Sequence, residues 1–309
     1  MKAALVQSVP DVCDVSCFVS DGASPDVTPD LLIELPHGAT RTADFERVRR
    51  LLVSDLPDQL SAYFYVNTDV GSYECAREIA RCLVGAENGD RALGRVLIVR
   101  SLIPRTFIDC NRVVAPATQG RGKMTPALPE YVTAPEDREV LQGLHASYQT
   151  VAQRAYDLIC GAGGMGLQIH TYAPRSVDID NIDANIVDAL REAYEPEVYE
   201  TWERRPDVDI ISEAGDGTLL APPELVDAVK REFARIGIEA CENATYRLHS
   251  ETMGYQYSAR FAGRVMCIEI SRAMLADPFS PFEEMRIGPR KVGRMSGPIA
   301  QALLDLKRR

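Results

Sequence analysis

Short apolar runs that end in turn-forming residues alternate along this chain with segments whose apolar side chains recur every three or four positions. The run at 31–35 is closed by Pro36 and Gly38, which is typical of a buried strand that ends in a loop. The same reasoning predicts further strands at 62–66, 95–100, 106–108, 166–169 and 265–270. Helical spacing predicts helices at 43–56, 72–83, 138–160, 224–236 and 298–306.

Strands that alternate with helices favour an α/β fold with a mixed, mainly parallel sheet and helices on both faces. A chain of 309 residues can bury a large core, and we expect residues 1–309 to form a single domain. The segment 113–137 is rich in proline and glycine, so it is either a lid or a plain surface excursion. The charged region 177–243 is expected to be the variable part of the domain.

Composition narrows the range of partners. A net charge of −11 and a pI of about 5.0 disfavour nucleic acid, which binds basic faces. The charge leaves room for a small anionic substrate, because a local arginine cluster or a metal ion outweighs the global sign. The sequence shows no signal-peptide core and no apolar stretch of membrane-spanning length, and its eight cysteines include no Cys-x-x-Cys. We therefore expect a cytoplasmic protein with reduced thiols and no membrane partner.

Three polar residues at the ends of predicted strands point to a metal. His37 and His170 each follow an apolar run, and Asp69 follows the run at 62–66. Parallel strands bring such ends to one edge of a sheet, and two histidines with one carboxylate form a catalytic zinc set with an open fourth position. Asp44 and Glu46 are rival carboxylates because they lie close to His37 in sequence. Asp69 is also explained as a carboxylate at a helix N-terminus.

A cluster of charged residues follows the predicted strand at 106–108. Arg105 and Arg112 present planar guanidinium groups that bind carboxylates through two hydrogen bonds, and Asn111 stands beside Arg112. This pattern predicts a site for a small anionic substrate. The alternative is a structural ion pair, for which Asp109 is the obvious partner.

Glu269 is the remaining candidate because it lies inside the apolar strand predicted at 265–270. A carboxylate in a buried strand is unfavourable unless it is paired or ligated, which favours a functional role. The alternative is a salt bridge to Arg264 or Arg272. His145 lies in a helical pattern and is expected to be structural.

Several of these segments resemble those of N-formylglutamate amidohydrolases, within the wider zinc carboxypeptidase and aspartoacylase group. Residues 33–41 are similar to the family's Pro-His-small-Gly-Thr-Arg segment, with Gly and Ala exchanged. Residues 67–69 resemble its Asp-Thr-Asp. Residues 105–112 resemble its Ser-Arg…Asp-Leu-Asn-Arg segment, with Cys110 in place of Leu, and 144–146 resemble its Tyr-His pair. His170 and Glu269 fall where the family has a late histidine and a late glutamate.

The resemblance implies a zinc-carboxypeptidase-like fold and metal-dependent hydrolysis of the amide bond of an N-acyl amino acid such as N-formylglutamate. It implies a Zn²⁺ ion, or another divalent transition metal, bound by His37, Asp69 and His170. It also implies catalytic roles for Glu269 and Arg105. It implies substrate binding by Arg41, Asp109, Asn111 and Arg112.

Two departures from the family pattern stand out. The family's Trp-Asp-Ala-His is here Leu-Gln-Ile-His at 167–170, so Gln168 replaces an acid. The zinc carboxypeptidase pattern His-x-x-Glu would place a glutamate at Thr40. Two alternative functions therefore stay open: a small-peptide metallocarboxypeptidase, and a non-catalytic ligand-binding protein that has lost the metal.

Overall fold

The structure is a computed structural model. It describes residues 6–24, 27–85, 92–114, 125–177 and 181–307, together with the single positions 89 and 179. One sheet runs through these residues, formed by strands β1 (Cys13–Val19), β2 (Leu31–Leu35), β3 (Arg95–Ser101), β4 (Met165–Tyr172), β5 (Val208–Ile211), β6 (Ala240–Glu242) and β7 (Val265–Ser271).

The strand order across the sheet is β1-β3-β2-β4-β7-β5-β6. The central strands β3, β2, β4 and β7 run parallel to one another. The pairs β1–β3 and β5–β7 are antiparallel, and β6 pairs with β5 in parallel. The carboxyl ends of the four central strands therefore share one edge, where ligands bind in open α/β sheets.

The helices in the described part of the chain cover both faces of the sheet. They are α1 (Thr42–Arg49), α2 (Leu60–Asn67), α3 (Ser72–Val84), α4 (Pro135–Ile159), α5 (Ile186–Ala193), α6 (Pro196–Tyr199), α7 (Pro223–Arg235), α8 (Met253–Arg260) and α9 (Pro289–Leu306). Helices α3, α7 and α9 pack on one face, and α1, α2, α4 and α5 pack on the other. None of these helices is long and apolar enough to cross a membrane.

Strand β2 shows how the sequence fills both cores. Its five residues are all buried, and alternate side chains point to opposite faces. Leu31, Ile33 and Leu35 join the core beneath α3, α7 and α9, whereas Leu32 joins the core on the other face. This two-sided burial explains the continuous apolar run of a central parallel strand. The predicted mixed, mainly parallel sheet with helices on both faces is confirmed.

Two predicted strands are wrong. The run at 62–66 lies in α2, where Leu60, Ala62, Tyr63 and Phe64 are buried. A short aromatic and apolar run is compatible with a strand or with a buried helix. In the helix observed here, Phe64 packs against Phe45 of α1, with ring centroids 5.3 Å apart. The run at 106–108 is a turn, in which the amide nitrogens of residues 107 and 108 donate to the Pro104 carbonyl.

Other boundaries differ from the prediction. The first helix ends at Arg49, seven residues before the predicted end, and α9 begins at Pro289 and continues through Pro298. Strands β1, β5 and β6 and helices α6 and α8 are additional elements. Ten residues of the predicted lid, 115–124, lie outside the described residues.

Candidate metal centre and substrate cavity

Three donor atoms converge at the carboxyl edge of the sheet. His37 Nδ1 lies 3.2 Å from His170 Nδ1 and 3.3 Å from Asp69 Oδ2, and His170 Nδ1 lies 3.0 Å from the same oxygen. All three residues are buried. Among the described residues they form the group of histidine and carboxylate side chains that is compatible with a metal ion. The structure thus brings together the three metal ligands predicted from sequence, His37, Asp69 and His170, which we call the triad.

The turn after β2 positions His37. The amide of Gly38 donates to the Leu35 carbonyl, which closes the turn. A Cβ atom at Gly38 would lie 2.5 Å from Arg100 Cγ, so only glycine fits there. Arg100 Nε donates to the Gly38 carbonyl over 2.8 Å and fixes the loop.

The rival carboxylates are engaged or turned away. Asp44 pairs with Arg100 and accepts the amide hydrogens of residues 40 and 41 at the start of α1. Glu46 lies on the exposed side of α1. Asp69 follows α2 rather than a strand, and it is the carboxylate that reaches the two histidines.

Hydrogen bonds fix the tautomer of His37. Its Nε2 lies 2.7 Å from Asp109 Oδ1. Burial raises the pKa of Asp109, but His37 and Arg105 outweigh burial and hold that pKa well below its usual range. An ionised carboxylate accepts only, so Nε2 carries the hydrogen and the neutral ring has its lone pair on Nδ1.

The same reasoning fixes His170. Gln168 Nε2 donates to Glu34 Oε2 over 2.6 Å, so the amide oxygen of Gln168 faces His170 Nε2 at 3.0 Å as an acceptor. Glu34 is fully buried and also accepts the hydroxyl hydrogens of Tyr148 and Tyr156. A buried carboxylate thus orients an amide, and the amide leaves the His170 lone pair on Nδ1.

A cation fits this donor set. Two nitrogen lone pairs and a carboxylate oxygen face one another at 3.0–3.3 Å, with no hydrogen between them when both rings are neutral. Zinc ligands at about 2.0–2.1 Å in a tetrahedron lie roughly 3.3 Å apart. The hydrogen-bonded Nε2 atoms match the outer shell typical of metal-bound histidines.

Without a metal, protonation replaces the cation. Burial and Arg105 lower the pKa of His37, but the charges of Asp109 and Asp69 outweigh them and raise it above its usual value. Burial raises the pKa of Asp69, but His37 and His170 outweigh it and lower that pKa. Because ligands must be deprotonated, zinc binding should weaken as the pH falls.

Replacement of Gln168 tests the chain of hydrogen bonds from Glu34 through Gln168 to His170. Gln168→Met keeps the length of the side chain but removes the acceptor for His170 Nε2, which frees the ring to rotate or change tautomer. We expect zinc affinity to fall about 10- to 100-fold, the usual effect of losing such a partner. Competition with a fluorescent chelator measures this affinity. Gln149→Met is the matched control, since Gln149 contacts the Cys110 carbonyl rather than the triad; an equal loss in both variants would contradict the assignment.

Glu269 lies beside the triad, opposite His170 in the β4–β7 register. Its Oε2 is buried without a hydrogen-bond partner. Burial raises the pKa of Glu269 to about 7; Asp69 acts in the same direction, against His170, Arg205 and Arg105. Neither alternative salt bridge forms: Arg264 bonds to the Gly163 carbonyl, and Arg272 bonds to the Val66 and Thr171 carbonyls. The side chain can therefore gain or lose a proton near neutral pH.

The raised pKa of Glu269 predicts a pH-dependent stability of the metal-free protein. The folded state holds the proton up to about pH 7, whereas the unfolded chain releases it near the ordinary value of 4.5. The contribution to stability is therefore full below pH 4.5 and is lost as the pH rises through 7. At about 1.4 kcal/mol per pKa unit, the loss is about 3 kcal/mol at most. Urea unfolding at pH 5 and pH 8 should show Glu269→Gln gaining stability relative to wild type at the higher pH; parallel pH profiles would contradict this.

Arg105, the predicted catalytic arginine, and Arg112, a predicted substrate contact, line the same cavity as the triad. Arg105 Nη2 contacts Asp109 Oδ2 at 3.0 Å, and its Nη1 lies 3.9 Å from Asp69 Oδ1. Arg112 makes only long hydrogen bonds of 3.4–3.5 Å to backbone carbonyls and no ion pair within the described ranges. Asn111 also lines the cavity and accepts the Gly254 amide hydrogen.

Helix α4 holds this segment in place. The Nε2 atom of His145 lies 2.9 Å from the Arg112 carbonyl, and Gln149 donates to the Cys110 carbonyl. His145 is therefore structural, as predicted. Arg112 keeps its guanidinium group available in the cavity because its backbone, not its side chain, is fixed.

Two of the predicted substrate contacts, Arg41 and Asp109, do not line the cavity. Arg41 does not line the cavity; its side chain is 60% exposed and pairs with Glu74. Asp109 is occupied by His37, Arg105 and the Asn111 amide, so it orients the site from behind. Both oxygens of Asp109 are therefore engaged within the protein.

Sequence reasoning missed Glu34 and Gln168. Glu34 could have been identified, because it is a charged residue inside a five-residue apolar strand. The same pattern identified Glu269 as a candidate. Gln168 was visible only as a departure from the family pattern. Its role depends on Glu34, which lies 134 positions away along the chain.

Comparison with solved structures supports the fold. The structure of N-formylglutamate amidohydrolase from Ralstonia eutropha JMP134 matches with a TM-score of 0.54 and 18% identity, over 95% of this chain and 97% of that chain. A gene product from Agrobacterium tumefaciens matches with a TM-score of 0.50 and 14% identity, over 98% and 97% of the two chains. No protein-family model and no curated protein sequence matches this chain. The chain shares the fold of these two structures, and identities this low carry the fold alone.

Proposed function

We propose that the protein is a metal-dependent hydrolase that cleaves the amide bond of an N-acyl amino acid, with N-formylglutamate as one member of the class. The observation that carries this proposal is the convergence of His37 Nδ1, His170 Nδ1 and Asp69 Oδ2 within 3.0–3.3 Å. A carboxylate with a raised pKa and an unpaired arginine line the same cavity. Together these residues supply a set of metal ligands, a proton carrier and an anion site.

Each residue has a distinct task in this proposal. A zinc ion held by His37, Asp69 and His170 would supply a nucleophilic water at neutral pH and polarise the substrate carbonyl. Glu269 takes a proton from the attacking water and returns it to the leaving nitrogen, which neither histidine can do while its lone pair is bound. Arg105 shares the negative charge that develops on the carbonyl oxygen.

Arg112 and Asn111 are the proposed contacts for the substrate carboxylate. Arg112 faces the cavity without an ion pair, and a partly buried guanidinium of this kind favours an anionic ligand. Asn111 connects this proposed contact to the triad, since its Nδ2 lies 3.5 Å from His170 Nε2. The substrate is thus a carboxylate whose amide lies close to the acid group.

A hydrolysis screen tests the proposal. N-formyl, N-acetyl and longer N-acyl amino acids and short peptides would be incubated with the purified protein, with zinc and with a chelator. Zinc-dependent release of the amino acid from N-acyl substrates supports the proposal. Faster cleavage of peptides would favour the carboxypeptidase alternative, and zinc binding without any cleavage would favour a non-catalytic binder.

Arg112→Lys tests the carboxylate contact. Lysine keeps the charge but loses the planar pair of hydrogen bonds, so kcat/KM should fall about 10- to 100-fold for carboxylate substrates. The loss should be smaller for the corresponding primary amides. Arg41→Lys is the matched control, because Arg41 lies outside the cavity, and its kinetics should equal wild type. Equal losses on acids and amides would show that Arg112 is structural.

A further inference from the structure

The cavity is larger than the triad needs. It has a volume of about 760 Å³ and extends from the triad along helices α2 and α5. One side of it is lined by apolar side chains, which we call the apolar lobe: Val66, Ile179, Ile182, Ile186, Leu190 and Tyr194.

The wall of the apolar lobe is firmly packed. Ile186 and Leu190 are one helical turn apart on α5 and point to the same side, and both are at least 96% buried. Both belong to the core that α2 and α4 share. Tyr194 stacks on Tyr199 with ring centroids 4.9 Å apart. The lobe is therefore preformed, as ligand pockets usually are.

The apolar lobe begins beside the triad. Arg272 donates to the Val66 carbonyl and places its Nη2 3.9 Å from Asp69 Oδ1, so one guanidinium bridges the lobe and a predicted ligand. Asn111, which precedes Arg112, contacts the triad at His170 instead. The lobe and the proposed carboxylate contact therefore meet the triad at different residues, Asp69 and His170.

We propose that the apolar lobe holds the acyl group of the substrate, and that this group is a bulky aliphatic chain such as octanoyl. The inference rests on the proposed function, which places the amide at the triad and the carboxylate at Arg112. The other end of the substrate is then its acyl group, directed at the lobe. Pockets of about 300–1,000 Å³ enclose ligands of drug size, and a formyl group would leave the lobe unfilled.

A series of N-acyl glutamates from formyl to octanoyl tests the chain length. Each methylene that enters an apolar pocket contributes about 0.8 kcal/mol, so kcat/KM should rise about fourfold per methylene until the lobe is full. A rate that is highest for formyl and falls with length would overturn the inference while leaving the proposed function intact.

A binding measurement separates this inference from the proposed function. Trp202 is the sole tryptophan, lines the cavity, and donates through Nε1 to the Ala193 carbonyl. Its fluorescence in the metal-free protein should respond to N-octanoyl-glutamate at concentrations at least tenfold below those of N-acetyl-glutamate. Equal responses would overturn the inference. Tighter binding of the octanoyl compound, with no N-acyl substrate cleaved by the zinc-loaded protein, would support the lobe and refute the proposed function.

A charge in the lobe should remove the preference. Ile182 is only partly buried, so Ile182→Glu should fold, and its carboxylate would oppose an apolar chain. We expect kcat/KM for the octanoyl substrate to fall at least tenfold more than that for the acetyl substrate. Val198→Glu is the control, because Val198 is 41% exposed and outside the cavity. Unchanged octanoyl kinetics in a folded Ile182→Glu variant would overturn the inference.

Discussion

Replacing His170 with alanine is expected to remove bound zinc and amide hydrolysis together. Its Nδ1 is one corner of the three-donor group, at 3.0 Å from Asp69 Oδ2 and 3.2 Å from His37 Nδ1. Two remaining protein ligands bind zinc far more weakly than the three that catalytic sites use. Activity should fall to background, because the nucleophile depends on the metal.

The measurement is metal content by mass spectrometry after dialysis against zinc, together with the rate on the best substrate. His37→Ala should behave in the same way. His249→Ala should retain about one zinc per chain, since its Nδ1 accepts the Glu251 amide hydrogen and, among the described residues, belongs to no group of possible metal ligands. Full metal and full rate in His170→Ala would show that the site is assigned to the wrong residues.

Glu269→Gln is expected to lower kcat by about 10²–10⁴-fold while leaving zinc content and fold unchanged. Glutamine has nearly the same shape but carries no proton, and general acid–base catalysis contributes a factor of this size. Glu269 suits this task because burial raises the pKa of its carboxyl to about 7, where it accepts and returns protons at neutral pH. A bound zinc would lower this pKa by its charge, which favours the base form at the start of the reaction.

Steady-state kinetics and metal analysis on the same sample separate the possible outcomes. A low kcat with full zinc supports the proton-carrier role, because only the reaction step has been affected. Loss of zinc would make Glu269 a ligand in place of Asp69. Normal turnover would place the base elsewhere, and not at Asp109, whose oxygens are already engaged by His37 and Arg105.

The metal-ligand candidates were predictable where they lie at the ends of strands. His37 and His170 both follow buried apolar runs, and the parallel order of β2 and β4 brings them to one edge. Asp69 was selected for the same reason although it follows a helix. Asp69 still reaches the two histidines although a strand was wrongly predicted before it, because α2 also ends at this edge of the sheet.

The prediction failed where local sequence is ambiguous. The segment Ala-Tyr-Phe-Tyr-Val at 62–66 is apolar all round, and it carries no periodicity that separates a strand from a buried helix. Strand β6 spans only Ala240–Glu242 and is too short to show alternation. Such elements are specified by their neighbours, which a single sequence does not reveal.

Long-range hydrogen bonds were equally out of reach. The chain from Glu34 through Gln168 to His170 joins strands β2 and β4, and nothing in the local pattern pairs these residues. The contact between Asp109 and His37 was out of reach for the same reason, since the two residues lie 72 positions apart. A resemblance to a family marks residue identities, and the fold decides which of them touch.

Diffraction at the zinc absorption edge, from crystals grown with zinc, tests the central claim most directly. The account predicts an anomalous peak at the carboxyl edge of the sheet, bonded at about 2.0–2.2 Å by His37 Nδ1, Asp69 Oδ2 and His170 Nδ1. The Nε2 atoms should remain on Asp109 and Gln168. A zinc-loaded crystal with no peak among these three atoms, or with the ion held by other residues, would contradict it.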